Sequence, residues 1–162
     1  YHSASGGQTE DAGDVYASDV PYLKSVMSTA ESGTDRLSGE KRMSRKDFCQ
    51  LVNQKWPSAK LKAASLEKAV EITDAMESGR VKAIRLGGAS LTGKDMRKLL
   101  SLDSTLFSIA YTEEEIVFST RGFGHGVGMS QTGANAMALG GRTYEEILLY
   151  YYTDVTLGRI EA

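Results

Sequence analysis

The chain has 162 residues, which suits one domain, and 41% of them are hydrophobic, enough to build a core. The formal net charge of −2 gives no electrostatic basis for binding nucleic acid or an acidic membrane surface. The single cysteine, Cys49, cannot form an internal disulfide, and no apolar run approaches the roughly 20 residues of a membrane-spanning helix. Because the chain opens directly on Tyr1, we interpret it as the interior of a longer protein.

The first third of the chain predicts one clear helix. Residues 1–20 are polar and rich in Gly, Ser and Ala, so taken alone they are compatible with a flexible tail. Residues 32–42 have the composition of a polar loop. Ser44 is suited to cap a helix over 44–57, which Pro57 ends. The apolar face of this helix has helical spacing and consists of Phe48, Leu51, Val52 and Trp56.

Residues 68–120 predict two hairpins and a helix. Two strand-like stretches, 68–76 and 80–88, are joined by the turn residues 77–79. A short helix follows the cap Thr92, with Asp95 in the third position of a capping box. The stretches LFSIAY and IVFST predict the second hairpin, around an acidic turn.

Residues 121–162 predict a glycine-rich motif followed by two helices. In RGFGHGVGMSQ the glycines alternate, so an extended chain would present one face of bare backbone. If the chain turns instead, the glycines supply positive φ angles. One helix is predicted from about Ser130 to Leu139, and Thr143 with Glu146 forms a capping box for the last.

Strands and helices are mixed in this sequence without βαβ alternation. This order predicts an α+β fold of antiparallel β-hairpins with several short helices, a single compact domain that is part of a larger one.

His125 lies inside the glycine-rich motif, beside Met129, Ser130 and Gln131. Polar side chains that donate and accept hydrogen bonds suit a hydroxyl-rich ligand, and Met129 offers an apolar floor for a sugar ring. The alternatives are a buried histidine that holds the loop, and a Ser130 that only caps a helix. The glycine spacing matches neither the dinucleotide fingerprint nor the phosphate loop, which disfavours nucleotide binding.

Three motifs in order resemble the stage II sporulation protein D family, which includes the amidase enhancers of bacterial cell-wall lysis. RGFGHGVGMSQTGANAMALGGRTYEEILLYYYTDV resembles its C-terminal signature. YHSASGGQT…PYLKSV resembles an earlier segment, with Tyr16 where tryptophan is usual, and GRV…LTGKDMRKLLSLDSTLFSI resembles the stretch between them.

The resemblance implies a lytic transglycosylase that cleaves peptidoglycan glycan strands without water, leaving anhydro-muramyl ends, during engulfment. The implied partners are those strands, the amidase/endopeptidase stage II sporulation protein P and the membrane protein stage II sporulation protein M. The implied location is extracytoplasmic, with a membrane anchor outside this chain. No cofactor and no nucleic acid are expected.

Such chemistry needs one carboxyl group that donates and then accepts a proton. The family's glutamate lies in a V-A-E-M-P motif that this sequence lacks, so we expect the general acid upstream of Tyr1 and no activity from this segment alone. Glu10, Asp11 and Asp14 lie in a polar segment and are expected to be solvated. Some family members hold zinc near the SGG segment through added cysteines and histidines; with only His2 there, we predict no structural zinc.

The resemblance places substrate-binding residues on two walls of a groove. The wall within residues 1–30 comprises His2, Ser3, Ser5, Gly6 and Gly7. The other comprises His125, Gly126, Met129, Ser130 and Gln131. His125 and Gln131 would hydrogen-bond sugar hydroxyl or acetamido groups, or orient the upstream glutamate. Two other hypotheses stay open: a non-catalytic glycan-binding amidase modulator, and a purely structural piece.

Overall fold

A computed structural model describes residues 1–16, 18–29, 31 and 37–158. Its contacts divide the chain into two compact units. Unit 1 comprises Tyr1–Leu37 and Gly122–Ala162, and unit 2 comprises Ser38–Arg121. In the sequence, unit 2 is therefore an insertion between the two halves of unit 1.

The described residues form short helices and strands, numbered along the chain. The helices are α1 (Ala12–Val15), α2 (Arg45–Lys55), α3 (Leu66–Ala69), α4 (Gly93–Leu100), α5 (Gln131–Leu139) and α6 (Tyr144–Tyr151). The strands are β1 (Ser38–Ser44), β2 (Val70–Ala75), β3 (Val81–Leu86), β4 (Ala89–Thr92), β5 (Phe107–Tyr111) and β6 (Glu115–Arg121). The predicted α+β class, with antiparallel hairpins and several short helices, is confirmed.

Unit 2 contains two antiparallel sheets of three strands each. One has the order β1-β6-β5 and the other β2-β3-β4. One apolar cluster underlies both sheets, and its buried members lie between residues 48 and 118. At its centre Phe118 packs against Phe48 and Phe107, with ring centroids 5.6 and 5.9 Å apart. The inward faces of α2 and α4 complete the cluster through Phe48, Val52, Met96 and Leu100.

The predicted helix starts are confirmed. They were predictable because each depends on two residues only three positions apart in the sequence. The Ser44 side chain accepts a hydrogen bond from the Asp47 amide at the start of α2. Both Thr92 and Thr143 form complete capping boxes, at α4 and α6. Cys49 is buried beside the apolar face of α2, where burial raises the pKa of its thiol.

The prediction of a polar loop over residues 32–42 is wrong for Ser38–Arg42, which belong to β1. This strand lies at a sheet edge, where it pairs with β6 over seven residues and keeps most of its side chains exposed. A strand that buries no complete face has no alternating apolar pattern, so its sequence resembles a loop. Residues 32–36 lie outside the described part of the chain.

In unit 1 the first segment is held by backbone pairing and is no flexible tail. Residues 7–12 run antiparallel to 23–28, with hydrogen bonds such as Thr9 N to Val26 O at 2.9 Å and Ser28 N to Gly7 O at 2.8 Å. Residues 2–4 pair instead with the glycine-rich motif more than a hundred positions later. These bonds satisfy the amides and carbonyls of a segment that has almost no regular secondary structure.

Candidate functional site

The two predicted walls lie side by side in unit 1. The His2 amide donates to Met129 O at 3.0 Å, and the Gln131 amide donates to His2 O at 2.9 Å. Ala4 and Phe123 exchange two backbone hydrogen bonds, of 3.1 and 2.8 Å. The HSASGG segment and the GFGHGVGMSQ segment therefore form one continuous backbone structure.

The alternating glycines make turns and not a flat strand. Gly122, Gly124, Gly126 and Gly128 all have positive φ, at 71°, 112°, 87° and 71°. The hypothesis of one bare extended face is therefore wrong, and the alternative of a turning chain is right. Two of these glycines also permit close approach: a Cβ on Gly122 would lie 2.8 Å from Ala4 O, and one on Gly124 would lie 3.0 Å from His2 Cβ.

Val127 connects the two histidines of the chain. Its amide donates to His125 Nδ1 at 3.1 Å, and its carbonyl oxygen lies 3.2 Å from His2 Nδ1. Because a carbonyl only accepts, His2 carries a proton on Nδ1. His125 Nδ1 accepts, so in its neutral form His125 carries its proton on Nε2 and donates it to Tyr1 O at 3.1 Å. The two rings thus have opposite tautomers, fixed by backbone groups.

A group of three rings forms the centre of the candidate site. The centroid of the His125 ring lies 5.6 Å from that of His2 and 5.9 Å from that of Tyr16, and both pairs are tilted. His2 is buried, His125 is half-buried and Tyr16 is 45% exposed. Tyr16 was absent from the predicted site. The sequence did carry a signal for Tyr16, since it occupies the position where the resembling family usually has tryptophan.

The predicted residues differ greatly in their access to solvent. His2, Ser5, Gly6, Gly126 and Ser130 are buried. Ser3, Gly7, His125 and Met129 are half-buried, and Gln131 is exposed. The Ser130 side chain accepts from the Gly133 amide at 3.2 Å, so it does cap α5, in agreement with the alternative hypothesis. Only the half-buried and exposed members are in a position to meet a ligand without rearrangement.

Two acidic side chains are buried in unit 1. Glu10 was expected to be solvated, and this is wrong, since it is 3% exposed and its amide pairs with Gly126 O. Glu31 is also 3% exposed, although its polar surroundings in the sequence carry no signal of burial. Asp11 is half-buried and accepts from the Ser25 amide, whereas Asp14 is exposed as expected.

Hydrogen bonds keep Glu31 ionised. Burial works to raise the pKa of Glu31, but the hydrogen bonds from Ser130, Ser5 and Gly6 outweigh it, so this pKa lies below the usual value of 4.5. A carboxyl group with a lowered pKa is a poor proton donor near neutral pH. Glu31 is therefore unsuited to be the general acid of a transglycosylase.

Two further properties bear on what the site could hold. Among the residues that the structure describes, no three His, Cys, Asp or Glu side chains are grouped closely enough to hold a metal ion. None of the helices in the described ranges is long and apolar enough to cross a membrane.

Comparison with known proteins gives full-length matches of this chain, although no protein-family model matches it. It is 35% identical over 162 residues to "Stage II sporulation protein D" of Bacillus subtilis (strain 168), covering 100% of this chain and 45% of that protein. It is 32% identical to the protein of the same name from Bacillus amyloliquefaciens, with the same coverage. The chain thus spans less than half the length of these relatives.

A more distant relative carries a different name. The chain is 26% identical to "Amidase enhancer" of Bacillus subtilis (strain 168), over 97% of this chain and 29% of that protein. Both names agree with the resemblance carried by the three motifs. Over its full length, this chain is a homologue of proteins named stage II sporulation protein D.

Proposed function

We propose that this chain binds the glycan strands of peptidoglycan and positions them for non-hydrolytic cleavage during sporulation. The observation that carries the proposal is the pairing of the HSASGG and GFGHGVGMSQ segments around His2, His125 and Tyr16. Two relatives match this chain over its full length and are named stage II sporulation protein D, which supports the role in sporulation.

The site offers the two kinds of contact that a sugar needs. Flat rings and the Met129 side chain give an apolar surface for the face of a pyranose ring. The exposed Gln131 amide and the half-buried Ser3 hydroxyl both donate and accept, as sugar hydroxyl and acetamido groups require. Because both His125 nitrogens bond to the backbone, His125 contributes chiefly its ring and holds the loop in place.

The proton donor comes from a part of the longer protein outside these 162 residues. Glu31 is held ionised, and no V-A-E-M-P motif occurs in the sequence. In the longer protein that carboxyl group would protonate the glycosidic oxygen and then take the proton of the sugar's own 6-hydroxyl, which closes the anhydro ring. No water is consumed, so one carboxyl group suffices, in contrast to the pair that hydrolytic glycosidases use.

Binding is tested with purified glycan strands stripped of stem peptides. We expect Tyr16→Ala and Gln131→Ala each to weaken binding about tenfold, the loss of one good contact. Exposed residues of the same type provide matched controls, Tyr144→Ala and Gln54→Ala, which should bind as the parent chain does. Unchanged binding by both site variants, with their folding intact, would refute the proposed site.

Cleavage is tested by mass spectrometry of the digested strands. The longer protein should release fragments with anhydro-muramyl ends, and the 162-residue chain should release none. Release of such ends by the short chain would show that one of its own carboxyl groups is the acid. Glu10→Gln would then be the first variant to examine, because Glu10 is buried beside the paired segments.

A second candidate function is a non-catalytic modulator that holds glycan for an amidase. The similarity to the protein named amidase enhancer favours it. The two functions share glycan binding and differ in the products. Strand binding without anhydro ends, combined with faster amide hydrolysis by an added cell-wall amidase, would support the modulator. If the chain belongs to a transglycosylase, stage II sporulation proteins P and M would be its partners, at an extracytoplasmic membrane surface.

A further inference from the structure

A buried carboxylate lies directly beneath the HSASGG turn. The Ser5 amide donates to both oxygens of Glu31, at 3.1 and 3.0 Å, and the Ser5 hydroxyl donates to Oε1 at 2.8 Å. The Gly6 amide donates to Oε2 at 3.1 Å, and the Ser28 hydroxyl to Oε1 at 2.9 Å. Hydrogen bonds to an ionised acceptor are stronger than those between neutral groups, so this turn is held firmly.

The same carboxylate reaches the second segment. Ser130 caps the first turn of α5 by accepting from the Gly133 amide at 3.2 Å, and this turn packs against Glu31 at Gly133. A Cβ on Gly133 would lie 2.1 Å from the Tyr151 hydroxyl, 2.3 Å from Ser28 Oγ and 3.2 Å from Glu31 Oε1. Only glycine at this position lets the first turn of α5 come so close to the carboxylate.

We propose that Glu31 is a positioning residue, whose one carboxylate fixes the spacing of the two walls of the glycan site. It accepts hydrogen bonds from Ser5, three residues after His2, and packs against Gly133, two residues after Gln131. The pairing of His2 with Met129 and Gln131 lies between these two attachments. Glu31 is itself buried and acts through these residues, and this role rests on the proposed function.

The geometry distinguishes this role from general support of the fold. Tyr151 lies on α6 and belongs to the same buried network, which it joins through Ser28, since its hydroxyl lies 2.6 Å from Ser28 Oγ. Removing the Tyr151 hydroxyl perturbs the network and leaves in place the hydrogen bonds that Ser5 and Gly6 donate to Glu31. Tyr151→Phe is therefore a matched control for Glu31→Gln.

The test compares Glu31→Gln with Tyr151→Phe, both at a temperature where each is folded. Glutamine keeps the shape but replaces one acceptor oxygen by an NH₂ group that faces donors. We expect Glu31→Gln to weaken binding to peptide-free glycan strands at least tenfold, and Tyr151→Phe to stay within twofold of the parent chain. Equal losses in the two variants, in proportion to their lost stability, would overturn the proposal. So would parent-like binding by Glu31→Gln.

A second measurement does not depend on glycan. In ¹⁵N-labelled chain, Glu31→Gln should shift the amide resonances of Ser5 and Gly6 on one wall and of Gln131 and Gly133 on the other. Shifts confined to one wall would overturn the proposal. If the parent chain bound no glycan at all, the proposed function would fail, and these resonances would still decide whether Glu31 couples the walls.

If Glu31→Gln does not fold, Ser5→Ala takes its place. It removes the hydroxyl bond to the carboxylate, together with the bond that Ser5 Oγ accepts from the Gly7 amide, and leaves the two bonds from the Ser5 amide to Glu31. A smaller loss of glycan binding is then expected, two- to fivefold, with amide shifts at Gln131 across the site. No shift at Gln131 would overturn the coupling.

Discussion

The two units keep their shapes by different means. Unit 2 encloses one apolar cluster, from Phe48 to Phe118, between its sheets and helices. Unit 1 buries many polar side chains, and those of the described residues are His2, Ser5, Thr9, Glu10, Ser28, Glu31 and Ser130. Apolar burial is non-directional, whereas a buried hydrogen bond requires its partner in place.

This difference matches what unit 1 is proposed to do. A surface that binds a sugar polymer needs backbone and side-chain dipoles fixed in direction, and unit 1 fixes them by burying the groups that hold the turns. Unit 2 has a fully buried charge of its own, Arg80, which donates from Nη1 to Ser104 Oγ at 2.9 Å. Among the described residues, unit 2 buries four polar side chains beside its apolar core, namely Arg80, Ser104, Thr105 and Thr120, whereas unit 1 buries the seven named above.

The largest expected effect is in the apolar unit. Phe118→Ala removes a ring that is 0% exposed and packed against two others, so we expect a loss of about 3–5 kcal/mol in the free energy of unfolding. Chemical denaturation measures it. The control is Ile72→Ala on β2, an exposed apolar residue for which a change of roughly 0.5 kcal/mol or less is expected. Similar losses in both variants would contradict the description of unit 2.

In the polar unit, added volume should destabilise the fold as well, because Gly133 leaves no room for a side chain. Gly133→Ala places a methyl group against the Tyr151 hydroxyl and Ser28 Oγ, so we expect a loss of about 1–3 kcal/mol. Because Tyr151→Phe removes one of the clashing atoms, the double variant should lose less than the sum of the single ones. Strict additivity in denaturation experiments would show that the two residues do not share this space.

Acid should weaken unit 1 through Glu31. Its pKa is lowered in the folded chain, so its stabilising effect is fully present above the usual value of 4.5 and is lost as the pH falls through the folded value. Glu31→Gln should remove this part of the pH dependence. Asp95 in unit 2, whose pKa is also lowered by hydrogen bonds from Thr92, provides the comparison through Asp95→Asn. An unaltered acid limb in Glu31→Gln would contradict the assignment.

The smallest effects should be alike in both units, because helix caps are local. Thr92→Ala and Thr143→Ala each remove the hydroxyl of a complete capping box, one in each unit. We expect each to cost about 1 kcal/mol in thermal or chemical unfolding. The serine variants, which keep a capping hydroxyl, should recover most of the loss. A cap effect in only one unit would mean that the difference between the units extends to local structure.

Sequence reasoning succeeded where the information is local. The caps Ser44, Thr92 and Thr143, together with the hairpin turn at 77–79, each lie within a few residues of what they stabilise. The strand β1 was missed because an exposed edge strand buries no complete face, and the brief β4 was missed as well.

The candidate site was predicted from the resemblance of its motifs to a known family, and not from the spacing of its residues. Resemblance placed His2 and His125 together, but nothing in their spacing shows that Val127 joins both rings. The Glu31 network was beyond reach for the same reason, since it unites residues from four separate stretches of the chain. A buried polar network requires knowledge of long-range neighbours, and an isolated sequence carries no periodic signal for it.

The insertion of unit 2 within unit 1 has a consequence for synthesis on the ribosome. The first segment cannot meet the glycine-rich motif until all of unit 2 has been translated, an interval of several seconds at roughly 5–20 residues per second. An apolar, β-prone segment would be exposed to aggregation during that delay. Residues 1–13 are hydrophilic and rich in serine and glycine. This composition disfavours aggregation of the nascent chain before the glycine-rich motif has been synthesised.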